Sequence, residues 1–260
     1  KALLKSANVF EYVQHAADYG IEVKDSKANF TDVIKRSRTV ANGMSNGVQF
    51  LMKKNKIEVV MGTGTLKPGK KVEVKMEDGS TKTVNCKHII IATGSRSRVL
   101  PNLPQDGKKI IGYREAMTLD KMPKKMVVVG SGAIGVEFAY FYNSMGVDVT
   151  IVEYAANVVP VEDEDVSKQL ARTFKKNGIR IKLESEVTSV DTKGASCKVT
   201  VKSKKGEEII EADIVLSAVG VVSNIEGIGL EEVGIATDKG KIMVNDYYKT
   251  NIDGYYAIGD

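Results

Sequence analysis

The sequence has 260 residues, of which 42% are hydrophobic and 27% charged, and only 5 are proline. This composition is typical of a folded globular protein and excludes a disordered, collagen-like or disulfide-stapled chain. The length favours about two domains. The apolar runs, such as 89–92 and 126–129, are far shorter than the roughly 20 residues that cross a bilayer, so no membrane segment is predicted.

The 38 basic and 33 acidic residues give a net charge of +5. The densest basic cluster contains Lys198, Lys202, Lys204 and Lys205 beside a Lys-Gly turn, and no aromatic residues are interleaved with it. Surfaces that bind single-stranded nucleic acid usually combine basic and aromatic side chains. We therefore predict a solvated hairpin here and no nucleic-acid partner.

The two cysteines, Cys86 and Cys197, lie far apart in the sequence and form no CxxC, metal-ligand or nucleophile spacing. They are predicted to be buried, reduced thiols, which suits a reducing compartment, and no metal site is predicted. The chain begins at Lys1, ends just after an apolar strand, and shows no signal or transit sequence at its start. We expect it to be an interior part of a longer polypeptide.

Helical and β periodicities follow one another in the first part of the chain. Apolar residues at helical spacing predict a helix over residues 1–19, ended by Gly20. A second helix is predicted over 31–54, with its apolar stripe packed in the core. Asp78-Gly79 predicts a hairpin turn. Period-two patterns predict strands at 57–66, 71–76 and 81–84, and the apolar run that follows predicts a further strand at 89–92.

After a connector that contains Pro101, Pro104 and Pro123, strands and helices alternate, which predicts a parallel sheet with crossover helices. The alternating elements are strand 126–129, helix 134–145, strand 147–152, helix 166–177 and strand 179–183. Three antiparallel pieces and two further apolar strands follow at 187–190, 198–201, 208–210, 214–220 and 255–258. The fold class predicted is α/β.

Gly130-Ser131-Gly132-Ala133-Ile134-Gly135 is a GxGxxG motif between a predicted strand and a predicted helix. In a dinucleotide site the first glycine makes the tight turn, the second lets the pyrophosphate approach the backbone, and the third lets helix and strand pack closely. The helix N-terminus supplies amide N–H groups to the phosphates. This context predicts dinucleotide binding rather than a purely structural turn.

Glu153 ends the next predicted strand. A carboxylate there can accept hydrogen bonds from an adenosine ribose and repels a 2′-phosphate, and no arginine follows it in residues 154–157. We therefore predict NAD rather than NADP, the alternative being a solvated charge at a strand end. Glu137, placed by the sequence on the first turn of the helix, could simply complement the helix dipole.

The chain resembles the pyridine nucleotide-disulfide oxidoreductases over essentially all of its residues. Five segments in order carry the resemblance: KALLKSA at 1–7, IIIATGS at 89–95, GSGAIGVE at 130–137, SAVG at 217–220 and YAIGD at 256–260. The family's dihydrolipoamide-oxidising members are the most similar. The resemblance implies two Rossmann-like dinucleotide-binding domains, each with a parallel sheet and a small antiparallel meander. It divides the chain into an incomplete FAD-binding domain at 1–117, an NAD-binding domain at 118–240 and a return to the FAD domain at 241–260.

FAD and NAD are the cofactors that the resemblance implies. The positions that match FAD contacts are Gly64, Thr93, Gly94, Ser95 and Asp260, the last toward the ribityl chain. The positions that match the NAD site are Gly130, Ser131, Gly132, Ala133, Ile134, Gly135, Val136, Glu153, Val187 and Gly220. For Gly64, Val187 and Gly220 the residue type alone fits a turn or core role equally well.

The resemblance also implies a catalytic pair, Lys1 and Glu137, beside the flavin. Lys1 matches the lysine that follows the family's redox disulfide, so both active cysteines would lie before this chain begins. Ala133 stands where glutathione reductase has a tyrosine, and residues 221–224 replace an arginine-rich step of many relatives. Contacts near that end of NAD are therefore open.

The activity implied is the NAD-dependent oxidation of dihydrolipoamide through FAD and a redox disulfide that lies outside this chain. Without that disulfide, this chain alone is expected to be inactive. The implied partners are a second copy of the protein and the lipoyl groups of 2-oxo acid dehydrogenase or glycine cleavage complexes. The expected compartment is a bacterial cytoplasm or an organelle matrix. Two alternatives stay open: another NAD(P)H-dependent flavin disulfide reductase, such as mercuric reductase, and a non-catalytic NAD-binding chain. His15 and His88 do not match the family's catalytic histidine and are predicted to be structural or surface residues.

Overall fold

A computed structural model describes residues 1–259. The helices are α1 Ala2–Gln14, α2 Phe30–Lys54, α3 Tyr113–Ala116, α4 Ala133–Ser144, α5 Glu164–Lys176 and α6 Leu230–Val233, and a 3-10 helix covers Ala16–Tyr19. The strands are β1 Thr63–Lys67, β2 Lys71–Lys75, β3 Thr81–Asn85, β4 Ile89–Ile91, β5 Ser95–Ser97, β6 Ile110–Ile111, β7 Lys125–Val129, β8 Asp148–Val152, β9 Arg180–Lys182, β10 Ser185–Asp191, β11 Cys197–Ser203, β12 Gly206–Ala212, β13 Ile214–Ser217, β14 Val221–Ser223, β15 Thr237–Asp238, β16 Lys241–Ile242 and β17 Tyr255–Ala257. None of the described helices is both long and apolar enough to cross a membrane.

The chain divides into two compact units. The first combines Lys1–Ser45 with Ser97–Gly220, and the second combines Asn46–Arg96 with the residues from Val221 onward. Both units contain helices and strands, so the predicted α/β class is confirmed. The domain boundaries near 117 and 240 stay predictions.

A five-stranded sheet forms the centre of the first unit, in the order β6-β13-β7-β8-β9. Every neighbouring pair in it is parallel. Helix α4 connects β7 to β8 and helix α5 connects β8 to β9, which confirms the predicted alternation. The central strands are apolar on both faces because both faces are covered: Val127 and Val128, on opposite faces of β7, belong to separate core clusters.

Two different layers cover this sheet. On one face, residues of α1, α4 and α5 share a core cluster with the strands, and Phe141 and Tyr142 are among its largest fully buried side chains. On the other face lies the antiparallel sheet β10-β11-β12, whose Val199 and Val201 pack with Val127 and Val215 of the parallel sheet. The three antiparallel pieces predicted from the sequence are therefore confirmed.

The second unit is smaller and contains the antiparallel sheet β1-β2-β3, with the predicted Asp78-Gly79 turn between β2 and β3. Strand β17 pairs in parallel with β4, and β14 pairs with β5. A core cluster joins β1, β4, α6 and β17 through Leu66, Ile89, Leu230 and Tyr255. This unit also has a parallel pair together with an antiparallel meander.

Several sequence-based predictions of elements and their bounds were wrong. The strand predicted over 57–66 begins only at Thr63, because Thr63 already pairs with Lys75, the last residue of β2. The proline-containing segment predicted as a connector contributes the edge strand β6 and helix α3 to the first unit. Strand β6 is only two residues long, too short for its periodicity to be recognised.

The predicted helix over 1–19 ends earlier, at Gln14, and its last turn is the separate 3-10 helix, which Gly20 terminates at φ 73°. The prediction that the apolar stripe of α2 packs in the core was wrong from Val40 to Leu51. Val40, Met44, Val48 and Leu51 are exposed, Met44 by 71%, because no other element of the described chain buries them. Helical periodicity identifies an apolar face without showing what covers it.

The buried Tyr142 hydroxyl is expected to stabilise the first unit. It donates a hydrogen bond of 2.6 Å to the carbonyl of Ala116. Tyr142→Phe removes this donor in a fully buried place, so we expect a loss of about 1–2 kcal/mol in the free energy of unfolding, measured by urea denaturation. The control is Tyr154→Phe, at a side chain 78% exposed, which should change that free energy by less than about 0.5 kcal/mol.

The same bond predicts a pH dependence. Burial raises the pKa of the Tyr142 hydroxyl, so its contribution to stability is present below the unfolded tyrosine pKa of about 10 and is lost as the pH rises above it. The difference in stability between the unaltered protein and Tyr142→Phe should shrink above about pH 10. A difference that stayed constant there would contradict this assignment.

Candidate functional site

The glycine-rich loop lies where β7 passes into α4, and its three glycines meet different surroundings. A Cβ on Gly130 would lie 2.4 Å from the carbonyl oxygen of Ala218, and one on Gly135 would lie 2.1 Å from the carbonyl oxygen of Gly130. Both positions therefore need glycine for the fold itself. A Cβ on Gly132 would meet nothing within 4 Å, and the backbone there, at φ −65° and ψ 178°, suits any residue. Nothing in the described part of the chain requires glycine at this position, whereas a closely approaching pyrophosphate would.

The N-terminus of α4 is left without a protein cap. Gly132 is the capping residue and provides no side-chain hydrogen bond, and no acidic residue lies in the first turn. Helix α5 of the same unit differs, because the Asp163 carboxylate accepts hydrogen bonds from the N–H groups of Asp165 and Val166. The first amides of α4 have no partner within the helix. They are therefore available to an anion such as a pyrophosphate.

Glu153 lies just beyond β8 and is tied to the glycine-rich loop. Its Oε2 accepts hydrogen bonds of 2.7 Å from both the N–H and the hydroxyl of Ser131, and its Oε1 accepts one of 2.7 Å from the N–H of Ala155. The side chain is only 9% exposed. It is thus a positioned carboxylate and not the solvated strand-end charge of the alternative interpretation.

Lys1 and Glu137 line one groove of about 630 Å³, together with Leu4, Tyr140 and Phe174. Among the described residues the two charged groups do not form an ion pair within 4.0 Å, and both side chains are exposed. The placement of Glu137 on the first turn of its helix was wrong, because α4 begins at Ala133 and Glu137 lies on the second turn. The helix dipole acts mainly on the first turn, so capping accounts poorly for this carboxylate.

Val187 and Gly220 lie at two other places in the first unit. The Val187 side chain is buried in the core cluster beside the antiparallel sheet, and its carbonyl accepts a hydrogen bond from the Asn102 side chain. Gly220 adopts φ 101° and its carbonyl accepts a bond from the N–H of Arg98. The structure therefore gives each a structural role, and their contact with NAD stays a prediction.

In the second unit, Thr93-Gly94-Ser95 follows β4 and is braced by residues that sequence reasoning missed. Asn224 donates from its side chain to the carbonyl of Thr93 and from its N–H to the carbonyl of Gly94. Arg96 in turn donates to the side chains of Asn224 and Glu226, and it lowers the pKa of Glu226 to about 2. The sequence analysis noted only that residues 221–224 differ from an arginine-rich step of many relatives, and it did not predict the contacts of Asn224 and Arg96.

Next to this brace is a cavity of about 330 Å³, lined by Thr93, Gly94, Ser223, Lys241 and Tyr248 among others. One lysine and several apolar side chains, among them Ile91 and Ile225, therefore line a space that also borders the predicted FAD contacts Thr93 and Gly94. Gly64 lies in β1, paired with Val74. Asp260 lies outside the described residues.

Gly62, which the sequence analysis did not select, is the sterically constrained glycine of Gly62-Thr63-Gly64. A Cβ on Gly62 would lie 2.5 Å from the carbonyl oxygen of Lys75, whereas a Cβ on Gly64 would lie 3.3 Å from a Val72 methyl group. Gly64 therefore tolerates a side chain better than Gly62 does, and its predicted contact with FAD remains a prediction.

The remaining sequence-based predictions have clear outcomes. Cys197 is buried, as predicted, and burial raises the pKa of its thiol, which disfavours the reactive thiolate. Cys86 is only half-buried. His15 and His88 are exposed. The four clustered lysines are exposed in the β11–β12 hairpin, as predicted.

Comparison with known proteins gave consistent matches. The sequence profile described as pyridine nucleotide-disulphide oxidoreductase matches residues 1–260. A dihydrolipoyl dehydrogenase of Rhizobium etli is 43% identical, covering 100% of this chain and 57% of the relative. A leghemoglobin reductase of Glycine max is 38% identical, covering 100% of this chain and 50% of the relative.

Among solved structures, the crystal structure of LpdA from Mycobacterium tuberculosis has a TM-score of 0.91 and 31% sequence identity. That match covers 100% of this chain and 57% of LpdA. The chain thus spans between 50% and 57% of the length of these proteins.

Gly132→Val is expected to abolish nucleotide binding without unfolding the protein. The new side chain meets no protein atom near its Cβ but occupies the space that a pyrophosphate would need. Calorimetric titration with NADH and a thermal melt measure the two effects. The contrasting variant is Gly130→Ala, which should lower the melting temperature because of its backbone clash. Normal NADH binding by Gly132→Val would show that the motif is a structural turn.

Glu153→Ala should change the choice between the two cofactors. We expect NADH binding to weaken by about 1–2 kcal/mol through lost charge-assisted hydrogen bonds, while repulsion of the NADPH 2′-phosphate is relieved. The melting temperature should also fall, since three donors lose their acceptor. Parallel titrations with NADH and NADPH measure the preference, and equal losses for both cofactors would contradict the assignment.

Proposed function

Because the chain belongs to the pyridine nucleotide-disulphide oxidoreductase family, we propose that its protein oxidises dihydrolipoamide with NAD through FAD. The resemblance inferred from the five sequence segments is thereby confirmed at the level of the family. The relatives named dihydrolipoyl dehydrogenase support the choice of substrate. FAD and NAD are the cofactors of this family.

The observation that carries the proposal is the nucleotide-binding geometry of the first unit. Helix α4 begins directly after Gly132, where no atom of the described residues lies within 4 Å of the place that a Cβ would take, and Glu153, whose carboxylate is held by Ser131, directly follows β8. The amides of α4 would hold the pyrophosphate and Glu153 would accept hydrogen bonds from the adenosine ribose. The residues present therefore fit NAD.

The second unit fits a flavin nucleotide in a similar way. The braced loop Thr93-Gly94-Ser95 would contact FAD through its backbone, beside the cavity that also contains Lys241. Gly64 and Asp260 are the further proposed contacts. FAD would supply the redox chemistry between dithiol and NAD, and this chain's residues would hold and orient the nucleotides.

Lys1 and Glu137 are proposed to act as a charge pair beside the flavin. Their position in one groove of the first unit supports this, and so does the second-turn position of Glu137, where its charge is not needed for capping. A lysine near the flavin would favour its reduced, more anionic form. The redox disulfide is proposed to come from outside this chain, because Cys197 is buried and neither cysteine is in a disulfide.

The proposed partners are lipoyl groups of 2-oxo acid dehydrogenase or glycine cleavage complexes and a second copy of the protein. A bacterial cytoplasm or an organelle matrix is the proposed compartment. The name of one relative, the dihydrolipoyl dehydrogenase of Pisum sativum, includes the word mitochondrial. This name supports the organelle matrix as one of the two proposed compartments.

The test is an activity measurement on the protein isolated from its source. Dihydrolipoamide and NAD are supplied, and formation of NADH and the flavin absorbance of the protein are recorded. We expect a yellow protein that produces NADH and is much less active with NADP, because of Glu153. The variant Gly132→Val should lose NADH formation while keeping the flavin absorbance.

Two outcomes would contradict the proposal. Turnover with mercuric ion and NADPH, but not with dihydrolipoamide, would indicate a different flavin reductase. NADH binding by a colourless protein without turnover would indicate a non-catalytic nucleotide-binding chain.

A further inference from the structure

Ser131 occupies the first variable position of the glycine-rich motif, yet all of its polar groups are turned into the protein. Its N–H and hydroxyl both donate to Glu153 Oε2, and its carbonyl accepts a hydrogen bond of 3.0 Å from the N–H of Val159. The residue is completely buried. Because Ser131 is buried and its polar groups are hydrogen-bonded within the protein, it presents no exposed group to a dinucleotide.

Val159, which donates its N–H to the Ser131 carbonyl, has a strained backbone conformation. Its φ is 43°, a region that β-branched residues rarely adopt, and the following Pro160 further disfavours helical backbone angles. Such strain persists only where surrounding contacts fix it, and it is concentrated at functional sites. The Val159 carbonyl is held too, since the N–H of Glu162 donates to it at 2.9 Å.

The hydrogen bonds of Glu153 distinguish its two oxygens. A carboxylate oxygen offers about two acceptor sites. Oε2 uses both for Ser131, whereas Oε1 uses one for the N–H of Ala155. An incoming ribose hydroxyl can therefore be accepted at Oε1 without breaking an existing bond.

We propose that Ser131 is a positioning residue for dinucleotide selectivity: it fixes Oε2 of Glu153, so that Oε1 accepts the adenosine ribose hydroxyl. This inference rests on the proposed function. Ser131 is thereby reassigned from the direct cofactor contact that the sequence resemblance implied. The N–H of the strained Val159 donates a hydrogen bond to the Ser131 carbonyl. This bond keeps the glycine-rich loop in its position next to the Glu153 carboxylate.

Removing the hydroxyl would loosen the carboxylate. Because Ser131 is buried, the vacated place next to Oε2 lies inside the protein, where neither water nor the ribose restores the lost bond. Oε2 would keep only the bond from the backbone N–H of residue 131, so the carboxylate would be held less firmly and would move more freely toward solvent. Ribose binding would weaken, and a 2′-phosphate would meet less repulsion because the negative charge could move away.

The experiment compares Ser131→Ala with Ser144→Ala in the same protein. Ser144 lies at the other end of α4 and donates a hydrogen bond of 2.6 Å to Glu11, so the control loses a serine-to-carboxylate bond of the same kind. Dissociation constants for NADH and NADPH are measured by calorimetry, and melting temperatures are recorded. The ratio of the two dissociation constants is the informative quantity, because a purely structural loss would not change it.

We expect Ser131→Ala to bind NADH about five-fold more weakly, with NADPH binding unchanged or improved, so that the preference for NADH falls at least five-fold. Ser144→Ala should melt at a lower temperature with an unchanged preference. Ser131→Cys, which fills the same space with a weak donor, should give an intermediate preference, and it takes the place of the alanine variant if that variant does not fold.

An unchanged preference in both Ser131 variants would overturn the inference while leaving the proposed function intact. Failure of the unaltered protein to bind NADH would overturn both. These two results are distinguished by the titration of the unaltered protein, which is done first.

Discussion

The lack of room for a side chain at Gly130 and Gly135 is the constraint on which the proposed nucleotide site of the first unit depends. Gly130 and Gly135 leave no room for a Cβ, because one would meet the Ala218 carbonyl and the other the Gly130 carbonyl. Gly130 therefore packs closely against Ala218, the residue after β13, on one side and against Gly135 of α4 on the other. This packing leaves the helix N-terminus open at Gly132, where a side chain would fit and only a ligand would exclude it. The fold thus requires glycine at positions 130 and 135, and the space at Gly132 beside the N-terminus of α4 suits a phosphate group.

The uncapped helix has an energetic consequence. A side-chain cap such as that of Asp163 on α5 is worth only a few tenths of a kcal/mol more than glycine at the N-cap, so α4, capped by Gly132, lacks a small contribution to helix stability. A bound anion can supply it, so the nucleotide should stabilise the protein as well as serve the reaction. The apolar sheet beneath makes the missing cap tolerable, since buried Val127 and Val128 hold β7 in place regardless of the helix end. The stability of the unit and the availability of the site are therefore supplied by different residues.

The sequence predicted most of the first unit because its signals are local. The apolar strand 126–129, the glycine motif and the following helix are recognisable within a short window. Strand β6 and the exposed half of α2 were missed because each depends on what lies next to it in space, which periodicity does not report. In the site, glycines and Glu153 were predicted from residue type and spacing. The brace of Asn224 and Arg96 on the Thr93 loop depends on residues about 130 positions apart in sequence, and no local pattern shows it.

The role of Ser131 could not be predicted from the sequence, because the GxGxxG motif treats its position as variable. The side chain matters only once strand β8 has brought Glu153 within 2.7 Å of it. The same strand exit leads into the Val159 turn, so the loop, the carboxylate and the strained residue are linked through one buried serine. Alanine at position 131 would preserve the glycine packing and the open helix end while removing a restraint on the charge. Within the six-residue motif, the glycines determine the close packing and the open helix end, whereas Ser131 determines the position of the Glu153 charge. Only the first of these can be predicted from the glycine spacing.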